Sequence, residues 1–245
     1  MQPIIKVTDL TVRYEDRTVL DNINFSVAAG ERFMILGRSG AGKTTLLTHM
    51  LGLGGTASGE ILVDGDSIIH GDPLAKRKIL RKIGVMYQSG ALFGSMTLLE
   101  NVSLPLEEFS GLPTDAIEAV AHNKLQMVGL GEFYNHLPSE ISGGMQKRAA
   151  IARAMALDPK IIFMDEPSAG LDPTTSVRLD DLVLHLSETL GITFIVVSHE
   201  LPSIYKVAER IIMLDDGKIV ADGDPLTLRA SCDNMAARKF FNREA

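Results

Sequence analysis

One octapeptide constrains this chain more than any other stretch: Gly37-Arg38-Ser39-Gly40-Ala41-Gly42-Lys43-Thr44. It follows the apolar run Phe33-Met34-Ile35-Leu36, which reads as a buried strand, and precedes Thr45 to Leu51, which reads as a helix. A glycine-rich loop between strand and helix turns several backbone N–H groups toward one point. The helix start adds unpaired N–H groups and partial positive charge of its own. Lys43 supplies a mobile full charge suited to β- and γ-phosphates, and the Thr44 hydroxyl suits Mg²⁺. Glycine is demanded because a Cβ would hold the backbone away from phosphate oxygens. The loop therefore reads as a nucleotide-phosphate site, and alone it leaves kinase, GTPase, ATPase and motor chemistry open.

The rest of the composition narrows the class. At 245 residues, the chain can bury one substantial core with room for a subdomain. Its 45% apolar and 22% charged residues are those of a globular protein, and no apolar run approaches the ~18 residues that cross a bilayer. The start, Met1 to Lys6, lacks the pattern of a signal peptide. The single cysteine, Cys232, cannot close an intrachain disulfide, which suits a reducing cytoplasm. A net charge of −7 argues against nucleic acid as partner. Without repeats or an obvious linker, residues 1–245 read as one domain.

Alternation predicts strands over Ile4 to Tyr14 and Val19 to Val27. Tyr14 is a candidate to stack on adenine, with an edge aromatic filling a surface groove as the equal alternative. Further strands are expected at Glu60 to Val63, closed by an Asp64-Gly65 turn, and at Ile83 to Tyr87, which ends beside Gln88. Pro73 to Arg81 reads as a basic amphipathic helix with a solvated charged face. Over residues 89–157 strand signals vanish. Helical periodicity takes over in Thr97 to Leu106, Thr114 to Val128 and Met145 to Leu157, so this stretch is expected to be a helical subdomain inserted in an α/β core. Within it, Ser142-Gly143-Gly144 opens a helix as a second potential phosphate-binding N-terminus. A chain with one phosphate loop has no evident use for it.

Ile161 to Met164 then reads as a strand carrying Asp165-Glu166. Strand alternation sends the two carboxylates in different directions, one toward Mg²⁺ and one toward attacking water. Ser168 to Pro173 is a tight loop and Thr174 to Thr189 a helix. Thr193 to Ser198 is a buried strand ending at His199, and the other five histidines are expected at the surface. A hairpin around Asp216-Gly217 and a helical tail over about 224–245 complete the chain.

In this order the motifs resemble the ATPase subunit of ATP-binding-cassette transporters: the loop at Gly37 to Thr44, Gln88, the signature Ser142-Gly143-Gly144, Asp165-Glu166, Ser168 to Asp172, and His199. The resemblance covers nearly the whole chain. It implies a P-loop NTPase (RecA-like) α/β core with an antiparallel β subdomain and an inserted α-helical subdomain. In that family two copies pair head-to-tail, each ATP lying between one phosphate loop and the other copy's signature, which accounts for the surplus helix start. One departure stands out: Met145 follows the glycines where the family has glutamine, with Gln146 next. Ser89-Gly90-Ala91-Leu92-Phe93 and His199-Glu200-Leu201-Pro202-Ser203 look like the ATPases of phospholipid transport systems of the maintenance-of-lipid-asymmetry type.

The resemblance implies ATP and Mg²⁺ as cofactors, and the roles follow from it. Gly37, Arg38, Ser39, Gly40, Ala41, Gly42, Lys43, Thr44 and Thr45 would bind the phosphates, and Tyr14 the adenine. Thr44, Gln88 and Asp165 would order Mg²⁺. Glu166 would be the general base, Lys43 and His199 would contact the phosphate, and Ser142, Gly143, Gly144 and Gln146 would face a second copy's ATP. The implied partners are a second copy, a membrane permease met through residues 88–106, a lipid-binding protein of the mammalian-cell-entry type and a small accessory subunit. The implied location is the cytoplasmic face of a bacterial inner membrane. The alternatives are the ATPase of a small-solute importer, such as one for amino acids, and a soluble cassette scaffold such as serves iron–sulfur assembly.

Overall fold

The computed structural model describes residues 2–15, 17–55 and 57–242, and the chain divides into two compact units, Met1–Leu80 with Thr193–Ala245 and Arg81–Ile192. In the first unit, alternating residues build β1 (Ile5–Tyr14) and β2 (Arg17–Val27), whose apolar members Ile5, Val7, Leu10, Leu20 and Ile23 are buried. β3 (Arg32–Gly37), apolar from Phe33 to Leu36, leads through the glycine loop into α1 (Lys43–Met50). β4 (Ala57–Val63) turns through Asp64 and Gly65, both at positive φ, into the short β5 (Asp66–Ser67). These strands make an antiparallel sheet in the order β2-β1-β4-β5. α2 (Pro73–Leu80) buries Ile79 alone and leaves Arg77 and Lys78 exposed, the solvated face expected of it.

The second unit opens with β6 (Ile83–Met86), followed by α3 (Leu98–Phe109), α4 (Thr114–Met127) and α5 (Gly143–Ala154). β7 (Ile161–Asp165) pairs parallel with β6, and α6 (Pro173–Leu190) follows. The helices expected between residues 89 and 157 are therefore present, in a unit that also holds β6, β7 and α6. A capping box in which Thr97 and Glu100 bond each other's backbone starts α3. Inside that helix the fully buried Asn101 accepts from the Phe93 N–H and donates to the carbonyls of Phe93, Met96 and Thr97, pinning the preceding loop.

The chain returns to the first unit at β8 (Thr193–Val197), passes through α7 (Leu201–Val207), and forms the hairpin β9 (Arg210–Asp215) and β10 (Lys218–Gly223). The tail is α8 (Pro225–Ser231) and α9 (Met235–Asn242). β3 lies between β9 and β8, parallel to both, and β10 closes the edge antiparallel to β9. Every residue of β8 and nearly all of β3 is buried, as parallel strands covered on both faces must be. The tail folds back on α7: the Arg229 guanidinium sits 5.3 Å from the Tyr205 ring centre, and Phe241 lies 6.3 Å from the same ring. The last three residues of the expected tail lie outside the described residues.

Two expectations need correction. Leu201-Pro202-Ser203, where no helix was expected after the strand ending at His199, is the first turn of α7, where proline costs nothing because the first N–H groups have no intrahelical acceptor. His49 read as a surface histidine and is instead 2% exposed. It belongs to the buried stripe of α1 with Leu46, Leu47 and Met50, its Nδ1 lies 2.8 Å from the Thr45 carbonyl, and a Cβ on Gly54 would come within 2.4 Å of its ring.

Candidate active site

The glycine loop is shaped by two different demands. Gly37 has φ 153 and an added Cβ would lie 2.5 Å from the Leu214 carbonyl oxygen, while at Gly42, with φ 102, it would lie 2.7 Å from Leu20 Cδ2. Packing of the first unit dictates both. Gly40 differs: its φ is 82, and nothing lies within 4 Å of where its Cβ would be. Arg38, Ser39 and Gly40 are exposed and Ala41 is buried, so the loop's outer rim faces solvent. α1 starts at Gly42 with no side-chain cap, and its first helical bond runs from Leu46 N–H to the Gly42 carbonyl. The first-turn N–H groups of Lys43, Thr44 and Thr45 thus lie at a positive helix end that follows the loop's exposed rim. The Lys43 ammonium curls over this loop, donating to the carbonyls of Gly37 at 2.8 Å and Arg38 at 3.1 Å.

Two more candidates lie in the same unit. Tyr14 ends β1 with 49% of its surface exposed. His199 is exposed just past β8, its Nε2 3.5 Å from Glu200 Oε1.

The remaining candidates lie in the second unit. Gln88 is exposed two residues beyond β6. Asp165 ends β7, and Glu166 leaves the strand with φ 45. Alternation along a strand therefore does not set the Glu166 direction, as the sequence reading assumed: a left-handed residue after the last strand position does, at a conformational cost of about 1 kcal/mol or more. Turns from Ala169 N–H to the Glu166 carbonyl and from Leu171 N–H to the Ser168 carbonyl carry the chain to Asp172, which caps α6. Ser142 caps α5, its Oγ accepting from the Met145 N–H at 3.3 Å. Gly144 has no room for a side chain, because a Cβ would come within 2.4 Å of Thr175 Cγ2. Gln146 turns back from the helix start and donates to the Pro138 carbonyl at 2.8 Å. Met145 lines, with Ser142, Gly144, Arg148 and Arg178, a cavity of about 380 Å³.

With this geometry in place, known proteins supply the family. A sequence model described as ABC transporter matches residues 20–169. The chain belongs to the ABC transporter family. Its fold is that family's P-loop NTPase cassette with a β subdomain and a helical subdomain, and the chain is an ATPase that binds nucleotide. Among its relatives is the intermembrane phospholipid transport system ATP-binding protein MlaF of Haemophilus influenzae, 39% identical over 95% of this chain and 88% of that one. Another is the probable ribonucleotide transport ATP-binding protein mkl of Mycobacterium leprae, 37% identical over 97% of this chain and 68% of that protein. Of solved structures, cbiO1 of Clostridium perfringens, part of the transporter complex cbiONQ, superposes with a TM-score of 0.87 at 29% identity, covering 94% of this chain and 92% of that one. The cassette MJ0796, dimeric in a post-hydrolysis state with ADP and Pi, does so at 0.80 and 34%, covering 90% and 98%. No helix among the described residues of this ABC subunit is long and apolar enough to cross a membrane.

In this cassette, sequence reasoning passed over two cations on α5. Lys147, 7% exposed, donates through Nζ to the backbone carbonyl of Gln88. Half-buried Arg153 donates to the carbonyls of Gly90 at 2.9 Å and Ala91 at 2.7 Å. Burial lowers the Lys147 ammonium from its ordinary value, and the Asp165 carboxylate opposes that. Burial likewise lowers Arg153, with Tyr87 opposing. The one sequence signal for them was two charges at positions where α5 otherwise presents Ala149, Ala150, Ile151 and Ala152, all buried.

Proposed function

We propose that this ABC ATPase drives phospholipid transport from the cytoplasmic face of a bacterial inner membrane, as a head-to-tail dimer seated on a membrane permease. The observation that carries this reading is identity of 39% running through 95% of the chain to an ATP-binding protein of an intermembrane phospholipid transport system. The segment from Gln88 to Leu106, with exposed Phe93 and the loop pinned by Asn101, and exposed Tyr87 just before it, is the surface proposed to meet the permease. A lipid-binding protein of the mammalian-cell-entry type and a small accessory subunit are the further partners proposed.

In the proposed reaction, the N–H groups of Gly40 to Thr45 and the Lys43 ammonium hold the ATP phosphates, and Tyr14 stacks on the adenine. The exposed rim at Gly40 and the uncapped start of α1 fit this, since both leave room and donors for phosphate oxygens. Thr44, Gln88 and Asp165 would hold Mg²⁺. Their hydroxyl, amide and carboxylate oxygens are the hard donors it takes, and when bound it would neutralise charge on the β- and γ-phosphates. Glu166 accepts the proton of the attacking water, and His199 contacts the γ-phosphate. Ser142, Gly143, Gly144 and Gln146 of one copy complete the site of the other. Position fixes the order of importance here, because an in-line water must be oriented before a base helps.

The test is purification of the subunit with its partners from detergent-solubilised membranes, followed by lipid extraction and mass spectrometry of both protein and lipid. Expected are a permease, a lipid-binding partner and bound phospholipid. A partner that binds a small solute such as an amino acid or a ribonucleotide, with no lipid above the detergent background, would overturn the cargo assignment while leaving the ATPase intact. Recovery with soluble partners alone would favour the scaffold alternative.

A further inference from the structure

We infer that Lys147 is a positioning residue that fixes the Gln88 segment to the signature helix, so that occupation of the Ser142 end of α5 and the placement of Gln88 move together. The inference rests on the ATPase reading above and adds to it a residue that acts through Gln88 and touches no nucleotide.

The whole length of α5 is fitted to this segment. Near its C-terminus, a Cβ on Gly84 of β6 would come within 2.2 Å of the Ala154 carbonyl oxygen, so strand and helix approach backbone to backbone. In the middle, a Cβ on Gly90 would lie 3.5 Å from the Ala150 methyl and 3.8 Å from the Gln146 carbonyl oxygen. Arg153 holds the Gly90 and Ala91 carbonyls, and Lys147 holds that of Gln88. Positions 147, 150, 153 and 154 recur at three- and four-residue spacing, so they form one stripe along the helix. Ser142, the cap of that same helix, is one turn and a half before Lys147.

The chemistry explains why a cation is used. The carbonyl of Gln88 accepts from a charged donor held out of water, a stronger bond than a neutral side chain would give. Burying an ammonium is costly, and here the cost is partly offset by the Gln88 carbonyl and the field of the Asp165 carboxylate. The lysine therefore links two things the reaction needs in register: the helix bearing Ser142 and the backbone that aims the Gln88 side chain. A rigid helix joined to an exposed segment by buried charge-assisted bonds transmits its own displacement, because those bonds stretch little before they break. Gln88 itself is exposed and bonded through its backbone, so its side chain stays available to substrate while its main chain follows α5.

The experiment compares the unsubstituted protein with Lys147→Met, which keeps an unbranched chain one atom shorter and removes the donor, and Lys147→Arg, which keeps a charged donor. Steady-state ATP hydrolysis, ATP affinity by titration of the Glu166→Gln background, and amide hydrogen exchange at residues 88–91 are measured for each. Expected for Lys147→Met is a kcat about tenfold lower with KM within about twofold, since a small misplacement of an orienting group acts on turnover before binding. Exchange at 88–91 should quicken, and Lys147→Arg should restore most of kcat and protection. Wild-type kcat in a folded Lys147→Met protein would overturn the inference. So would equal losses in both variants accompanied by a lower melting midpoint, which would make the residue merely structural. Failure of the underlying reading is separate: it would appear as no hydrolysis by the unsubstituted protein.

Discussion

The two glycine-bearing helix starts of this molecule solve the same backbone problem in opposite ways. α1 begins at Gly42 in left-handed conformation, with no side-chain cap at that residue. α5 begins at Ser142 in extended conformation, φ −66 and ψ 158, with its own hydroxyl accepting from Met145 at 3.3 Å. The first start has no side-chain cap at Gly42, and a helix end of that kind is one an anion stabilises. The second already has a cap, so an anion adds to it only when something presents one. In the two-copy site proposed above, the difference assigns the halves: the open start with a lysine would hold nucleotide, and the self-capped start without a cation inside its glycines would close on it.

Breaking the open start should have the largest effect. Lys43→Ala removes the ammonium that lies against the Gly37 and Arg38 carbonyls and leaves Arg38 as the loop's remaining charge. ATP affinity should fall about a hundredfold, roughly 2.7 kcal/mol, as measured by nucleotide titration of the folded variant. Affinity within about threefold of the original would mean that the open start does not hold the phosphates.

A third helix start sharpens the comparison with a smaller effect. Asp172 caps α6 through a short bond from Thr175 Oγ1 and through the N–H groups of Thr174 and Thr175. These bonds, the Thr175 hydroxyl first, hold its carboxyl below the ordinary value of 3.8. A folded carboxyl with a depressed value stabilises above its unfolded value and loses that contribution as the pH falls through the folded one. Asp172→Ala should therefore lower the melting midpoint slightly near pH 7, and the gap from wild type should shrink as the pH drops below about 4. Asp172→Asn should show little of either. A gap that widens on acidification would contradict the capping account.

How much of this was legible in the sequence divides along the same line. The open start was readable because its glycines, lysine and threonine are contiguous, and contiguous residues fix local geometry. Ser142 was readable as a cap for the same reason, and the helices, the hairpins and the motif order with them. What escaped notice depends on residues distant in sequence. Lys147 and Gln88 are 59 positions apart, and nothing in either neighbourhood announces a bond between a buried ammonium and a backbone carbonyl. His49 was misjudged because polarity predicted exposure, whereas its place in the stripe of Leu46, Leu47 and Met50 decided burial. Glu166 was given a direction by strand alternation, and the left-handed backbone that sets it lies one residue past the strand's end. The Gln146 amide donates to the Pro138 carbonyl within the single chain, another bond that no local signal announces.

The central claim is that the open start of one copy and the self-capped start of another share one ATP, and light scattering with ATP and Mg²⁺ tests it most directly. Glu166→Gln keeps the shape of the base and a hydrogen bond to water but accepts no proton, so ATP stays bound unhydrolysed. A ligand held by both copies favours the pair by mass action, and two-fold symmetry gives two such ligands per dimer. The account predicts that Glu166→Gln shifts from one copy to two on addition of ATP, and that adding Ser142→Arg to the same chain returns it to one, because a bulky cation would fill the second start. A Glu166→Gln protein that binds ATP yet keeps the same mass, or a dimer that survives Ser142→Arg, would contradict it.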